Sequence, residues 1–177
     1  YTSYRLIPGL DLLVPFDASV PLDGYLLNLF CCKDDCAARL AAAGVLLGAA
    51  ELESMQGEAF QASIAQKIRH ESYRWEIRLA QYPYVKELSE DWLTSEEMGL
   101  ESEQVMALGG YFLSRDPAAS MLERYAALTI SLGQCQALCA LYPNSIHLLT
   151  LARVASEAGV RGIAVQSLKQ LADHIGD

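Results

Sequence analysis

Two hydrophobic rhythms divide the chain. In residues 4–16, YRLIPGLDLLVPF, apolar Leu6, Leu10, Leu12 and Val14 are interleaved with Arg5 and Asp11, the alternation of half-buried strands around Pro8-Gly9. Pro-Gly favours type I or II turns, whereas two-residue hairpins need the primed types. The reading therefore leaves open a wider loop or two strands that do not pair directly. A polar connection, DASVPLDG, leads to a third strand candidate at Tyr25–Cys32. From about Lys33 the apolar residues recur at helical spacing instead.

Asp34 or Asp35 can cap a helix from about Cys36 to Ala43, with Gly44 as its stop. Val45–Ala50 reads as a brief strand or as the lead into the next helix. Met55, Phe60, Ile64, Ile68, Trp75 and Leu79 suit one long helix over Glu51–Gln81, or two with a break near His70 to Tyr73. Further helices are expected at about 101–114, 117–131, 134–141, 145–158 and 161–175, punctuated by Asp116-Pro117, Gly133, Pro143-Asn144 and Gly159.

In the last of these segments Leu148, Leu151, Ala152 and Ala155 share a face, Gly159 breaks the chain, and Ala164, Leu168 and Leu171 face back. Small residues at Ala152 and Ala164 allow close approach of two antiparallel helices. The spacing resembles a tetratricopeptide unit. A weaker echo runs through Leu122, Tyr125, Ala126, Thr129, Gly133, Leu138 and Tyr142, at an offset shorter than the usual roughly 34 residues. The expectation is a mainly α chain of antiparallel helical hairpins, a tetratricopeptide-like stack or plain hairpins, with a small N-terminal β element. Residues 1–32 form the β part, and 33–177 a helical domain with hairpins at about 118–142 and 145–175.

A length of 177 residues, 52% of them hydrophobic and 20% charged, suits a packed core rather than disorder. The formal net charge of -9 provides no field for phosphate backbones, so no nucleic acid is expected. The longest apolar stretch, Leu40 to Leu52, is too short to span a bilayer, so no membrane association is expected either. The start at Tyr1 suggests a chain cut from something longer. Five cysteines, an odd number, do not resemble a secreted disulfide framework. Reduced thiols in a cytoplasmic protein are the expectation.

Candidate chemistry is sparse. Cys32 and Cys36 are four apart, as are Cys135 and Cys139, so each pair could share a helix face. If the helices met, four thiolates could hold a soft metal. The competing reading is that all four are small core hydrophobes. His70, His147 and His174 have no partner at zincin spacing, and no nucleophile elbow, P-loop or dinucleotide fingerprint is present. Tyr73, Arg74, Trp75 and Arg78 form the densest aromatic and cationic group, a possible ligand or partner surface or else a Trp packed inward beneath snorkelling arginines. The acidic residues between 84 and 104 read as solvated surface or as a docking face for a basic partner.

The run YRLIPGLDLLVPF, followed by Tyr25–Lys33 (YLLNLFCCK) and Ala37–Leu40 (AARL), resembles the closing segment of bacterial FkbM-family S-adenosylmethionine-dependent methyltransferases. The likeness covers about the first forty residues and implies that this chain is the C-terminal part of such an enzyme, with a helical tail. The glycine-rich turn and acidic ribose ligand of that fold have no counterpart here. The resemblance therefore implies no catalytic or cofactor-binding residue in this chain, and S-adenosylmethionine only for the parent. The function implied is a non-catalytic module serving protein interaction or oligomerisation, through its hairpins or exposed strands. The alternatives are the substrate side of a methyltransferase whose catalytic part lies elsewhere, or a stand-alone helical metal- or thiol-binding protein.

Overall fold

The structure, a computed structural model, describes residues 1–19, 23–25, 28–72 and 101–176. The chain is mainly α with a small β element at its N-terminus. Strands β1 (Thr2–Ile7), β2 (Leu12–Pro15) and β3 (Phe30–Cys32) form an antiparallel sheet in the order β2-β1-β3. Helices α1 (Asp34–Ala42), α2 (Ala49–Ser54), α3 (Glu58–Ser72), α4 (Glu101–Ser114), α5 (Met121–Leu141), α6 (Ser145–Glu157) and α7 (Arg161–Gly176) follow. Among the described residues, no helix is long and apolar enough to cross a membrane.

The Pro8-Gly9 connection takes the wider of the two forms the sequence allowed. Ile7 pairs with Leu12, and Pro8–Leu10 makes a single 3-10 turn closed by an Asp11 N–H bond to the Pro8 carbonyl. Asp11 lies in the left-handed region at φ 51°, which Asp tolerates better than most residues. The far edge of β2 is taken up by the segment left open at Val45–Ala50. Leu13 donates to Val45 at 2.9 Å and Leu47 donates to Leu13 at 3.0 Å, so that segment is extended before α2 begins.

Both sheet faces are covered by helices. Ile7, Leu12 and Val14 enter the largest apolar cluster with Ala107 of α4, Leu128, Cys135 and Leu138 of α5, and Leu151 and Val154 of α6. Tyr4 and Cys32 face the other way, onto Leu46 and onto Cys36, Ala37 and Leu40 of α1. The division between residues 1–32 and the helical remainder therefore separates sequence segments that share one core.

Three helical expectations are corrected. The region from Glu51 divides at Gln56-Gly57, where Met55 is buried and Gln61 donates its side-chain amide to the Met55 carbonyl. α3 then runs to Ser72, and the expected continuation to Gln81, with the break at Tyr73, lies outside the described residues. Gly133 does not end a helix: α5 continues through it because Leu128, Ser131, Cys135 and Leu138 are all buried on one stripe. Packing of that stripe outweighs the roughly 0.5–1 kcal/mol that a helical glycine costs. The hairpin expected within 118–142 is thus a single helix, and its partner is the preceding α4. In the second hairpin, α6 and α7 pack together around Gly159 as expected, but Leu168 points to solvent. Ala164 turns inward as expected, and Ser167 does so with it.

Close backbone approach holds these layers together. A Cβ on Gly109 would stand 2.4 Å from the Ile68 carbonyl of α3, and one on Gly110 would stand 2.8 Å from the Ala127 carbonyl of α5. Adjacent glycines thus let α4 touch a helix on either side, and the Ser131 hydroxyl seals the α5 contact on the Ala107 carbonyl at 2.6 Å.

The two glycine types should respond oppositely to one methyl group. Gly133→Ala, which meets nothing within 4 Å, raises unfolding free energy by about 0.5–1 kcal/mol. Gly110→Ala lowers it by about 1–3 kcal/mol through overpacking, both read from urea denaturation midpoints.

Candidate functional site

The structure separates the two cysteine pairs. Cys32 ends β3 and Cys36 lies in the first turn of α1, so the expected single helix face is replaced by a strand-to-helix junction. Cys135 and Cys139 are one turn apart on α5, packed in the largest apolar cluster. Among the described residues, no group of three or more His, Cys, Asp or Glu side chains is placed to hold a metal. Burial pushes the Cys135 thiol up to about 12 and the Cys139 thiol up to about 11. Metal binding and nucleophilic attack both need the thiolate, so these two thiols act as core hydrophobes at neutral pH. Cys31 is exposed, its sulfur 3.6 Å from the Ser3 hydroxyl.

Tyr73, Arg74, Trp75 and Arg78 lie outside the described residues, as does most of the acidic stretch. His147 is buried in the first turn of α6. Its backbone N–H is accepted by the N-cap Asn144 side chain, and its Nδ1 lies 2.8 Å from the Tyr142 carbonyl oxygen. That side chain serves the α5–α6 connection.

A cleft of about 480 Å³ lies between α3 and the α4–α5 connection. Gln66, Lys67 and His70 form one wall, Leu113, Asp116 and Ala119 the other. Two of its polar groups, Lys67 and Asp116, carry structural bonds. Lys67 pairs with Glu123, which closes a capping box on Ser120 at the start of α5. The Lys67 hydrogen bond, with the Ser120 N–H adding to it, holds the Glu123 carboxyl below its ordinary range. Asp116 accepts the Ala118 N–H at 2.9 Å. No sequence motif marked this cleft, because its walls come from segments some forty residues apart and meet only through packing.

A second polar cluster joins α4 and α6. The Tyr111 hydroxyl donates to Glu157 Oε1 at 3.0 Å, and Arg115 reaches Oε2 at 3.2 Å. The guanidinium groups of Arg115 and Arg153 lie 5.2 and 5.8 Å from the Tyr111 ring centre. Burial, and then the Glu157 charge, raise the Tyr111 hydroxyl well above its ordinary value, so it stays a donor at every physiological pH. Arg5 donates to the Ala158 carbonyl at 3.4 Å nearby.

Beside this junction a groove of about 60 Å³ runs along Leu6, Pro8, Tyr25, Phe30 and Arg161. Leu6, Tyr25 and Phe30 of this groove, with Leu29 next to Phe30, are 38 to 46% exposed. No family model, curated protein or solved structure matches the chain.

The thiols give a graded test. With Ellman's reagent the exposed Cys31 reacts in the native protein, while Cys135 and Cys139 become reactive only as urea unfolds the chain, read by absorbance and by peptide mapping.

Proposed function

We propose that this chain is a non-catalytic helical module that makes protein contacts, with the outer strand of its N-terminal sheet as the contact surface. The observation that carries the reading is the cluster of Leu6, Tyr25, Leu29 and Phe30 around β3. Among the described residues that strand, Phe30-Cys31-Cys32, lies at the outside of the sheet and carries neither proline nor charge. Exposed apolar side chains gathered in one place mark interaction sites more often than scattered ones do. The polar clusters described above support the same reading, since their partners tie helices and turns to one another.

The resemblance of YRLIPGLDLLVPF and Tyr25–Lys33 to FkbM-family methyltransferases extends the proposal: the module is the C-terminal part of a polypeptide whose catalytic part binds S-adenosylmethionine. No residue of this chain is assigned to that cofactor. Calorimetric titration of the purified chain with S-adenosylmethionine gives no binding heat under this reading, and stoichiometric binding would overturn the non-catalytic assignment.

Self-association is the form of contact most directly tested. Sedimentation of the chain over a range of concentrations is expected to show a weak, concentration-dependent dimer. Phe30→Lys, at a 40% exposed position, abolishes the dimer and leaves the circular dichroism spectrum unchanged. A monomer at every concentration, or a dimer indifferent to Phe30→Lys, removes this surface as a self-contact.

A further inference from the structure

The run Phe30-Cys31-Cys32-Lys33-Asp34-Asp35-Cys36 turns a strand into a helix within a few residues. Cys32 is the last residue of β3, Lys33 is the N-cap of α1, and Cys36 lies in the helix's first turn. A side chain just before the cap characteristically folds over the first turn of the helix it precedes. Here Cys36, with Ala37 and Leu40, packs on the cluster formed by Tyr4, Cys32 and Leu46. Cys32 and Cys36 thus share one apolar cluster, and the Cys36 charge adds to the rise of the Cys32 thiol. Strand alternation sends Cys31 to the opposite face, where it faces Ser3. The two thiols also differ in access, for Cys32 is buried and Cys36 half-buried.

We propose that Cys32 and Cys36 form a dithiol oxidation site that exchanges with small disulfides of the glutathione type and closes into a disulfide tying the end of β3 to the first turn of α1. The accessible Cys36, as thiolate, attacks one sulfur of glutathione disulfide. The sulfur–sulfur bond breaks and one glutathione leaves as thiolate. Cys32 then attacks the Cys36 sulfur of the mixed disulfide and expels the second glutathione. The protons lost by the two protein thiols end on the two glutathiones. The protein pair is oxidised by two electrons, and glutathione disulfide is reduced by two.

The order of attack follows from the surroundings. Burial raises the Cys32 thiol, and the neighbouring Cys36 charge adds to that rise. Formation of the mixed disulfide removes the Cys36 charge, so Cys32 ionises more readily at the moment it is needed. The ring that closes is short and constrains the unfolded chain little. Its effect is local: it fixes the start of α1, the helix that covers one face of the sheet.

Trypsin reads the outcome directly, because Lys33 lies between the two cysteines. The full chain is equilibrated with mixtures of glutathione and its disulfide, quenched in acid, alkylated and digested. Closure of the pair joins peptides 6–33 and 34–39 until a reductant separates them. The join is expected in the wild type and in Cys31→Ser, and its yield follows the glutathione ratio. Cys32→Ser is expected to hold glutathione on Cys36 instead. Loss of the join in Cys31→Ser would show Cys31 to be the partner and overturn the proposal. So would an oxidised wild type carrying glutathione on Cys31 alone, or chains crosslinked through Cys31 in place of the join. The wild-type map stands whether or not a substituted chain folds.

Discussion

The contact on which the rest of the structure depends is the seating of one turn on another. A Cβ on Gly9 would lie 2.6 Å from the Glu157 Cβ, and one on Gly159 would lie 2.8 Å from the Leu6 carbonyl. The β1–β2 turn and the α6–α7 turn therefore touch backbone to backbone. Gly159, at φ +74°, ends α6 with paired bonds from Gly159 to Ser156 and from Val160 to Ala155, the Schellman arrangement that needs a left-handed residue there. With the turns seated, Ile7 and Leu10 reach Leu151, Val154 and Ala158. Asp23 accepts the Gly162 N–H and so caps the start of α7. A short hairpin alone is marginal in water; this one is stabilised by the helices it covers.

The same principle of close backbone approach organises the helical layers. Gly109 and Gly110 bring α4 against α3 and α5 at once, and α5, α6 and α7 follow as consecutive neighbours. The sheet then closes one side of this stack, with α1 on its outer face. β3 occupies the boundary of the arrangement. Phe30 and Cys31 are exposed, while its last residue, Cys32, meets α1. The exposed Phe30 and the buried Cys32 thiol thus share one three-residue strand.

Much of the fold was legible because local signals agreed with packing. The alternation of Leu6, Leu10, Leu12 and Val14 marked strands, and Leu148, Leu151, Ala152 and Ala155 marked the inner face of α6. Gly133 misled, since a local breaker signal was overridden by a buried stripe on the opposite side of the helix. Leu168 misled for the converse reason: its apolarity suggested an inward face, but Ala164 and Ser167 set the rotation of α7 by allowing closer contact. The thiols were legible as pairs and in part in their setting. A spacing of four suits a helix face, yet the strand candidate Tyr25–Cys32 already ended on Cys32 and the next helix was expected to begin near Cys36.

By itself the sequence determined the class of the chain, its strand-then-helix order and most helix boundaries, since these follow from residue periodicity, caps and turn residues acting over a few positions. Tertiary structure decided which sheet face met which helices, which helix partnered α5, and where two cysteines joined one apolar cluster. It also created the cleft beside α3 and the exposed cluster around β3. Those outcomes depend on steric fit between backbones far apart in the chain, at Gly9 and Glu157 or Gly110 and Ala127. A missing Cβ reveals its purpose only when the opposing carbonyl is in place.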